Sequence, residues 1–301
     1  MNYAVETRRL TKQFPGITAL RDITLQIPKG VVFALLGPNG SGKTTFLKLL
    51  IGLLQPSSGK GYCLDLDITF QNEEIRKKTG YISEGANLYE YMTAQELGRF
   101  CQGLYPNWNS LLMEHYLGKF NIPAHIKIKN LSHGMKNQLA LIISLASEPE
   151  LLLMDEPTAG FDPIFRRNFL DTVLAETIGK GKTVIIASHH LNEIERVADH
   201  AAFIYKGELL KSCPMEQLKS SFKDIRVVFR EEPPISIFSI KGITKIKRRD
   251  NAFLISVSQN AEEIWAACHR TPHFSLEYID KNLEDIYLHY LEDKVGGFYE
   301  N

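Results

Sequence analysis

Short runs of consecutive apolar residues recur along the first two thirds of the chain, with neither a helical period nor a strict alternation. VVFALL (Val31 to Leu36), ELLLMDEP (Glu150 to Pro157) and TVIIASHH (Thr183 to His190) each contain an apolar stretch of strand length. Such runs predict parallel strands covered on both faces. VVFALL is followed by a glycine-rich turn and then by FLKLLIGLL (Phe46 to Leu54), which reads as strand, turn and helix. All three runs end in polar residues, and in an open parallel sheet ligands collect at the carboxyl ends of the strands. The stretch Glu90 to Lys119, with QELGRFCQGLY and LLMEHYLGKF, reads as helical and interrupts the alternation. It predicts a helical insertion at about residues 85–147.

After Lys211 the pattern changes. IRVVF (Ile225 to Phe229) is followed by Pro233 and Pro234, and ITKIKRRDNAFLISVS predicts a hairpin turning at Asp250 and Asn251. AEEIWAACHR and LEDIYLHYLED read as helices. Two domains follow, residues 1–211 and a small α+β accessory domain at 212–301, in keeping with a length of 301 residues.

Composition narrows the class. Thirty-five Lys plus Arg balance thirty-five Asp plus Glu, so no global field draws the chain to a polyanion. The longest apolar runs fall short of the roughly 20 residues that span a bilayer. The opening MNYAVETRRLTKQF has no apolar core of a secretion signal, and Cys63, Cys101, Cys213 and Cys268 show no metal or redox spacing. A cytoplasmic chain with reduced thiols is expected. KIKRR (Lys245, Lys247, Arg248, Arg249) is the conspicuous basic cluster, and it reads as a solvated strand edge guarded against sheet-to-sheet pairing.

Gly37, Pro38, Asn39, Gly40, Ser41, Gly42, Lys43 and Thr44 match GxxxxGK[ST] between a strand and a helix. Glycines there let backbone N–H groups turn toward phosphate oxygens, and the helix N-terminus adds its positive dipole end. Lys43 is expected to neutralise β and γ phosphates, and Thr44 to hold Mg²⁺. Asp155 leaves its strand at the same end and is a second candidate for Mg²⁺; Glu156 is the candidate general base. Ser132, before the helix of QLALIISLA, can cap that helix, but its first turn is also suited to phosphate. Two phosphate-suited helix ends for one nucleotide suggest that the second serves another molecule.

The ordered set GPNGSGKTT, LSHGMKNQ, LLLMDEPTAGFD and a His closing the next strand resembles the nucleotide-binding subunit of ABC transporters, from Tyr3 to about Leu210. The resemblance implies a P-loop NTPase cassette of α/β class: a RecA-like parallel sheet core, an antiparallel β subdomain and a helical insertion. It implies ATP and Mg²⁺ as cofactors. It also implies a homodimer or heterodimer with a second cassette, in which Ser132 and Gly134 meet the partner's ATP. Thr45 joins the phosphate loop, Phe14 matches the adenine-stacking aromatic, and His189, in preference to His190, matches the switch histidine. Asp162 matches the aspartate at the dimer seam. Two positions depart from the family pattern: Glu84 stands where a metal-binding glutamine is usual, and His133 and Met135 replace Gly and Gln of the signature. These variants point to the antibiotic and multidrug exporter branch, and so to an ATPase driving export through separate membrane permease subunits at the inner face of the cell membrane. The alternative is a soluble ATPase of the same family acting on nucleic acid or ribosomes. The stretch between Lys43 and Asp155 is too short for a long coiled coil, and one cassette stands where translation-type members carry two, so no nucleic acid partner is expected. A P-loop kinase or GTPase is disfavoured because the signature segment LSHGM is present and no NKxD guanine reader occurs.

Overall fold

The computed structural model describes residues 2–85, 88–159, 161, 163–177 and 180–295. The chain divides into two compact units, Met1–Ser212 and Cys213–Asn301. Strands of the first unit are β1 (Tyr3–Phe14), β2 (Ile17–Pro28), β3 (Val32–Leu36), β4 (Ser58–Cys63), β5 (Leu66–Asp67), β6 (Thr79–Ile82), β7 (Leu151–Asp155), β8 (Thr183–Ser188), β9 (His200–Tyr205) and β10 (Glu208–Pro214). Its helices are α1 (Lys43–Leu50), α2 (Asn72–Lys78), α3 (Ala94–Gln102), α4 (Ser110–Lys119), α5 (His133–Ala146), α6 (Pro163–Thr177) and α7 (Leu191–Ile194).

The first unit contains two sheets. One has the order β10-β9-β3-β8-β7-β6. Within it β3 runs parallel to β8 and β9, and β7 parallel to β6 and β8. Every residue of β3, β7 and β8 is buried, the outcome their unbroken apolar runs demand. The other sheet, β2-β1-β4-β5, pairs β1 antiparallel with both β2 and β4. This is the antiparallel β subdomain that the family resemblance implies and that the apolar pattern alone does not reveal. The two long strands form an antiparallel pair broken by register shifts, with Arg9 and Asp22 at φ 48° and 50°. Such irregularities blur a period of two.

Helix α1 joins the two layers. Phe46, Leu47, Leu49 and Leu50 are fully buried and belong to one core with Leu10, Leu20 and Ile23 of the antiparallel sheet and Phe33, Leu153 and Ile185 of the parallel one. A helix apolar on more than one side must be covered on more than one side, which fixes its N-terminus against the parallel sheet. Between β6 and β7 the chain forms α3, α4 and α5. Thr93 opens α3 with a capping box, its hydroxyl accepting from Glu96 N at 3.1 Å while Glu96 Oε2 accepts from Thr93 N at 2.7 Å. Asn109 caps α4, accepting from Leu112 N at 2.9 Å.

The second unit comprises α8 (Met215–Ser221), β11 (Lys223–Phe229), β12 (Ile243–Arg249), β13 (Ala252–Val257), α9 (Ala261–Arg270), β14 (His273–Asp280) and α10 (Leu283–Val295). Its sheet, β12-β13-β11-β14, is antiparallel throughout. Ile225, Val227 and Phe229 alternate onto the same face of the sheet as Phe253, Ile255 and Val257 of the neighbouring strand, and together they pack with Ile264 and Cys268 of α9. The β12–β13 hairpin turns at Asp250, φ 53°. Lys245, Lys247, Arg248 and Arg249 lie exposed on β12, an edge strand. Arg248 grips Glu232 through two 2.7 Å hydrogen bonds. The free thiols Cys63, Cys101, Cys213 and Cys268 are all buried.

Candidate active site

The register of the parallel sheet brings the chemistry together. Leu36 pairs with Ser188 and Asp155 with Ala187, so the chain leaves β3 and β8 at one level and β7 one residue earlier. Beyond those ends lie Gly37, Glu156 and His189. A pocket of about 380 Å³ opens there, lined by Asn39 to Thr45, Ile17 to Ala19, Glu84, Glu156, Lys206 and Gly207.

Gly37 is required by proximity: a Cβ there would sit 2.1 Å from Ile204 O on β9. Gly42, at φ 109°, caps α1, and a Cβ on it would lie 2.6 Å from Ala19 O. The loop therefore closes tightly enough that Lys43 curls back over it. Its ammonium, 5% exposed, donates to Gly37 O at 2.8 Å and Pro38 O at 3.2 Å. It also stands 3.4 Å from Glu156 Oε1.

Glu156 is 7% exposed and adopts φ 47°, a left-handed backbone that a non-glycine residue enters only under compulsion. Its N–H donates to Ala187 O at 2.9 Å and its Oε2 accepts from Ser188 Oγ at 3.3 Å, so β8 holds it at both ends. Its Oε1 faces His189 Nδ1 at 2.9 Å. Both atoms lack a hydrogen bond of acceptable angle, so this contact is close electrostatic proximity rather than a directed bond. The His190 ring lies tilted against His189 with ring centroids 3.9 Å apart, and the His190 backbone N–H donates to Ser188 Oγ at 3.0 Å. Of the two histidines, His189 is the one beside the carboxylate.

Asp155, 2% exposed, has an Oδ1 with no hydrogen-bond partner, as does the buried Ser41 Oγ. Its carboxyl is raised above the ordinary carboxylate range, first by burial and then by the charges of Glu156 and Glu84; a hydrogen bond from Thr44 and the charge of Lys43 oppose the shift. A buried carboxylate that its own surroundings disfavour, beside a threonine hydroxyl, is a hard oxygen set suited to a divalent cation. Among the described residues no group of three or more His, Cys, Asp or Glu could hold a metal ion.

A family model described as ABC transporter matches residues 20–159. The lantibiotic transport ATP-binding protein SrtF of Streptococcus pyogenes is 34% identical over 68% of this chain and 89% of its own length. The chain belongs to the ABC transporter family. Similarity extends through the second unit of this cassette: the ABC transporter ATP-binding protein YtrB of Bacillus subtilis is 27% identical over 97% of the chain and 98% of YtrB. A solved ATP-binding subunit of an ABC transporter matches the cassette with a TM-score of 0.66 at 26% identity, covering 71% of this chain and 91% of that one. The cassette is thus an ATP-binding, ATP-hydrolysing transporter subunit. No helix among the described residues is long and apolar enough to cross a membrane.

Not every expected site residue meets this pocket. Phe14 ends β1 opposite Ile17, 40% exposed, with Lys12 Nζ 5.0 Å from its ring centre; it is not among the residues lining the cassette's pocket, whereas Ile17, Thr18 and Ala19 are. Ser132 and Gly134 do not line it either. Ser132 is exposed at the head of α5 and accepts from Met135 N at 3.2 Å, and His133 next to it lies 3.4 Å from Asn137 Nδ2. Asp162 lies outside the described residues. Sequence reasoning missed the contribution of the β9–β10 turn. Gly207 N donates to Ser41 O at 2.9 Å and Gly207 O accepts from Arg21 N at 2.8 Å, so the turn buttresses the phosphate loop from behind. The dipeptide Lys206-Gly207 is a turn signal, but nothing local marks which loop it supports.

Proposed function

We propose that the pocket binds ATP through Gly37, Pro38, Asn39, Gly40, Ser41, Gly42, Lys43, Thr44 and Thr45, with Phe14 beside the base, and hydrolyses it with Glu156 as general base. The observation that carries this reading is the convergence of Lys43 Nζ and His189 Nδ1 on Glu156 Oε1, at 3.4 and 2.9 Å. An ammonium facing phosphate, a carboxylate able to take a proton from water and an imidazole beside it make up the set that γ-phosphate hydrolysis needs. Thr44, Asp155 and Glu84 would hold Mg²⁺, which supplies neutralisation of phosphate charge when bound. Glu84 accepts hydrogen bonds but cannot donate one, unlike the glutamine expected there, and adds a negative charge to the site.

Two cassettes, identical or different, assemble head to tail, so that Ser132 and Gly134 at the exposed head of α5 reach the nucleotide of the partner. Closure is stabilised only while the γ-phosphate is present, which is differential binding to two states. The motion drives export through membrane permease subunits, with the cassette held at the inner face of the membrane by those partners. The name of the relative SrtF, a lantibiotic transport ATP-binding protein, supports a transport role. Glu156→Gln tests the assignment: the variant keeps the shape of the side chain, and its turnover is expected to fall by about 10²- to 10⁴-fold, the contribution of a positioned base. ATP affinity is retained and an ATP-dependent dimer accumulates in size-exclusion chromatography. Normal turnover by this variant would remove Glu156 from the role.

A further inference from the structure

Outside the pocket, one partly buried ion pair joins the two segments that carry the catalytic side chains. Arg166, in the first turn of α6, donates from Nε to Phe161 O at 2.7 Å and from Nη1 to Glu193 Oε1. Phe161 follows Glu156 by five residues and Glu193 follows His189 by four. Both connections are short, and the one from Glu156 to Phe161 is internally bonded: Ala159 N donates to Glu156 O and Phe161 N to Thr158 O, both at 3.1 Å. Phe161 is itself fixed, 5% exposed, with its ring centre 6.3 Å from that of Phe165 and 5.7 Å from that of Phe169. The path from Glu156 to Phe161, across Arg166 to Glu193, back along α7 to His189 and across 2.9 Å to Glu156 forms a closed loop.

We propose that Arg166 is a positioning residue that sets the distance between His189 and Glu156. The proposal rests on the reading of that pair as the hydrolytic centre. A guanidinium suits the task because its donors lie in one rigid plane, so meeting a carbonyl and a carboxylate together fixes orientation as well as distance; a lysine ammonium is a point donor on a flexible stem. The arrangement also has a sense of direction. Glu193 Oε2 is buried and has no hydrogen-bond partner, so Arg166 supplies the main compensation for that carboxylate. Without it a partly buried carboxylate that has lost its cation turns toward water, and α7, only four residues long, moves with Glu193 and takes His189 with it.

The test is steady-state hydrolysis and equilibrium ATP binding on the full-length chain carrying Arg166→Ala, Arg166→Lys, Glu193→Gln or the double variant Arg166→Ala/Glu193→Gln. Misplacement of a reacting group by about 1 Å costs up to about 100-fold in rate. Arg166→Ala is therefore expected to lower kcat at least ~10-fold while the dissociation constant for ATP changes by less than ~3-fold. Arg166→Lys recovers part of the rate, and the double variant is no slower than Arg166→Ala alone, because both substitutions break one brace. Should Arg166→Ala not fold, Arg166→Lys and Glu193→Gln carry the same measurement. An unimpaired kcat, or equal losses in kcat and ATP affinity, overturns the brace. Glu156→Gln assayed in parallel separates the two levels: an inert Glu156→Gln beside an unimpaired Arg166→Ala removes the brace alone, whereas an active Glu156→Gln removes the hydrolytic assignment beneath it.

Discussion

Three glycines of the phosphate loop are required for three different reasons, and alanine substitutions separate them. At Gly40, φ is 77° and nothing lies within 4 Å of a Cβ, so Gly40→Ala bears only the torsional cost, about 1–2 kcal/mol. Gly37 has an ordinary backbone, but its Cβ would stand 2.1 Å from Ile204 O and 2.8 Å from Ser41 Oγ. A backbone carbonyl on a buried strand cannot swing aside, so Gly37→Ala bears an overpacking cost of about 1–3 kcal/mol. Gly42 combines both, with φ 109° and a Cβ 2.6 Å from Ala19 O, so Gly42→Ala is expected to cost about 2–5 kcal/mol, the sum of the two effects. At about 1.4 kcal/mol per tenfold, that largest loss shifts the unfolding equilibrium by more than one order of magnitude. The chain has two tryptophans, Trp108 in the first unit and Trp265 in the second. In a Trp265→Phe background, Trp108 fluorescence during urea unfolding follows the first unit, and shifts in midpoint at constant slope give the three costs. If Gly40→Ala proved as damaging as Gly42→Ala, or Gly37→Ala were neutral, the division into torsional and steric causes would be refuted.

Asp155→Asn removes a carboxyl whose folded-state affinity for protons is raised by burial. Such a group weakens folding progressively as pH climbs from its unfolded to its folded pKa, and the penalty is complete above the latter. The variant should therefore melt higher than the parent at neutral pH without added cation, and lose Mg²⁺-dependent ATP binding; a lower Tm at neutral pH would contradict the account. Ser132→Ala removes the α5 cap and should cost about 1 kcal/mol in chemical denaturation, with a further loss of ATP-dependent dimerisation that a capping role alone does not produce. Lys245→Val with Lys247→Val makes the β12 edge apolar and should promote self-association seen by light scattering; an unchanged particle size would show that those lysines do not guard the edge.

Much of the candidate site is legible in the chain because its parts are contiguous in sequence. GPNGSGKTT builds its own turn, and the apolar runs before Asp155 and Ser188 could only be covered strands. The histidine choice also follows a local cue, since His189 leaves β8 directly and His190 already belongs to the approach to α7. What stayed hidden depends on contacts between distant segments. The bulged β1–β2 pair disguises its own alternation. The start of β2 at Ile17 to Ala19 and Gly207 reach the phosphate loop only through tertiary packing. The left-handed backbone of Glu156 has no signature in a residue type that rarely adopts it. Arg166 likewise looks like an ordinary surface arginine until Phe161 O and Glu193 stand on either side of it.

The one-to-one pairing of Leu36 with Ser188 and of Asp155 with Ala187 has an evolutionary consequence. Because three loops depart within one residue of a common level, the interior residues of those strands are free to drift among apolar types of similar bulk. A single inserted or deleted residue in any one of them, by contrast, would turn its terminal side chain to the opposite face. Substitution should therefore be tolerated in these strands far more readily than any change in their length, and lineages diverging from this sequence are expected to vary the composition of the rungs while preserving their number.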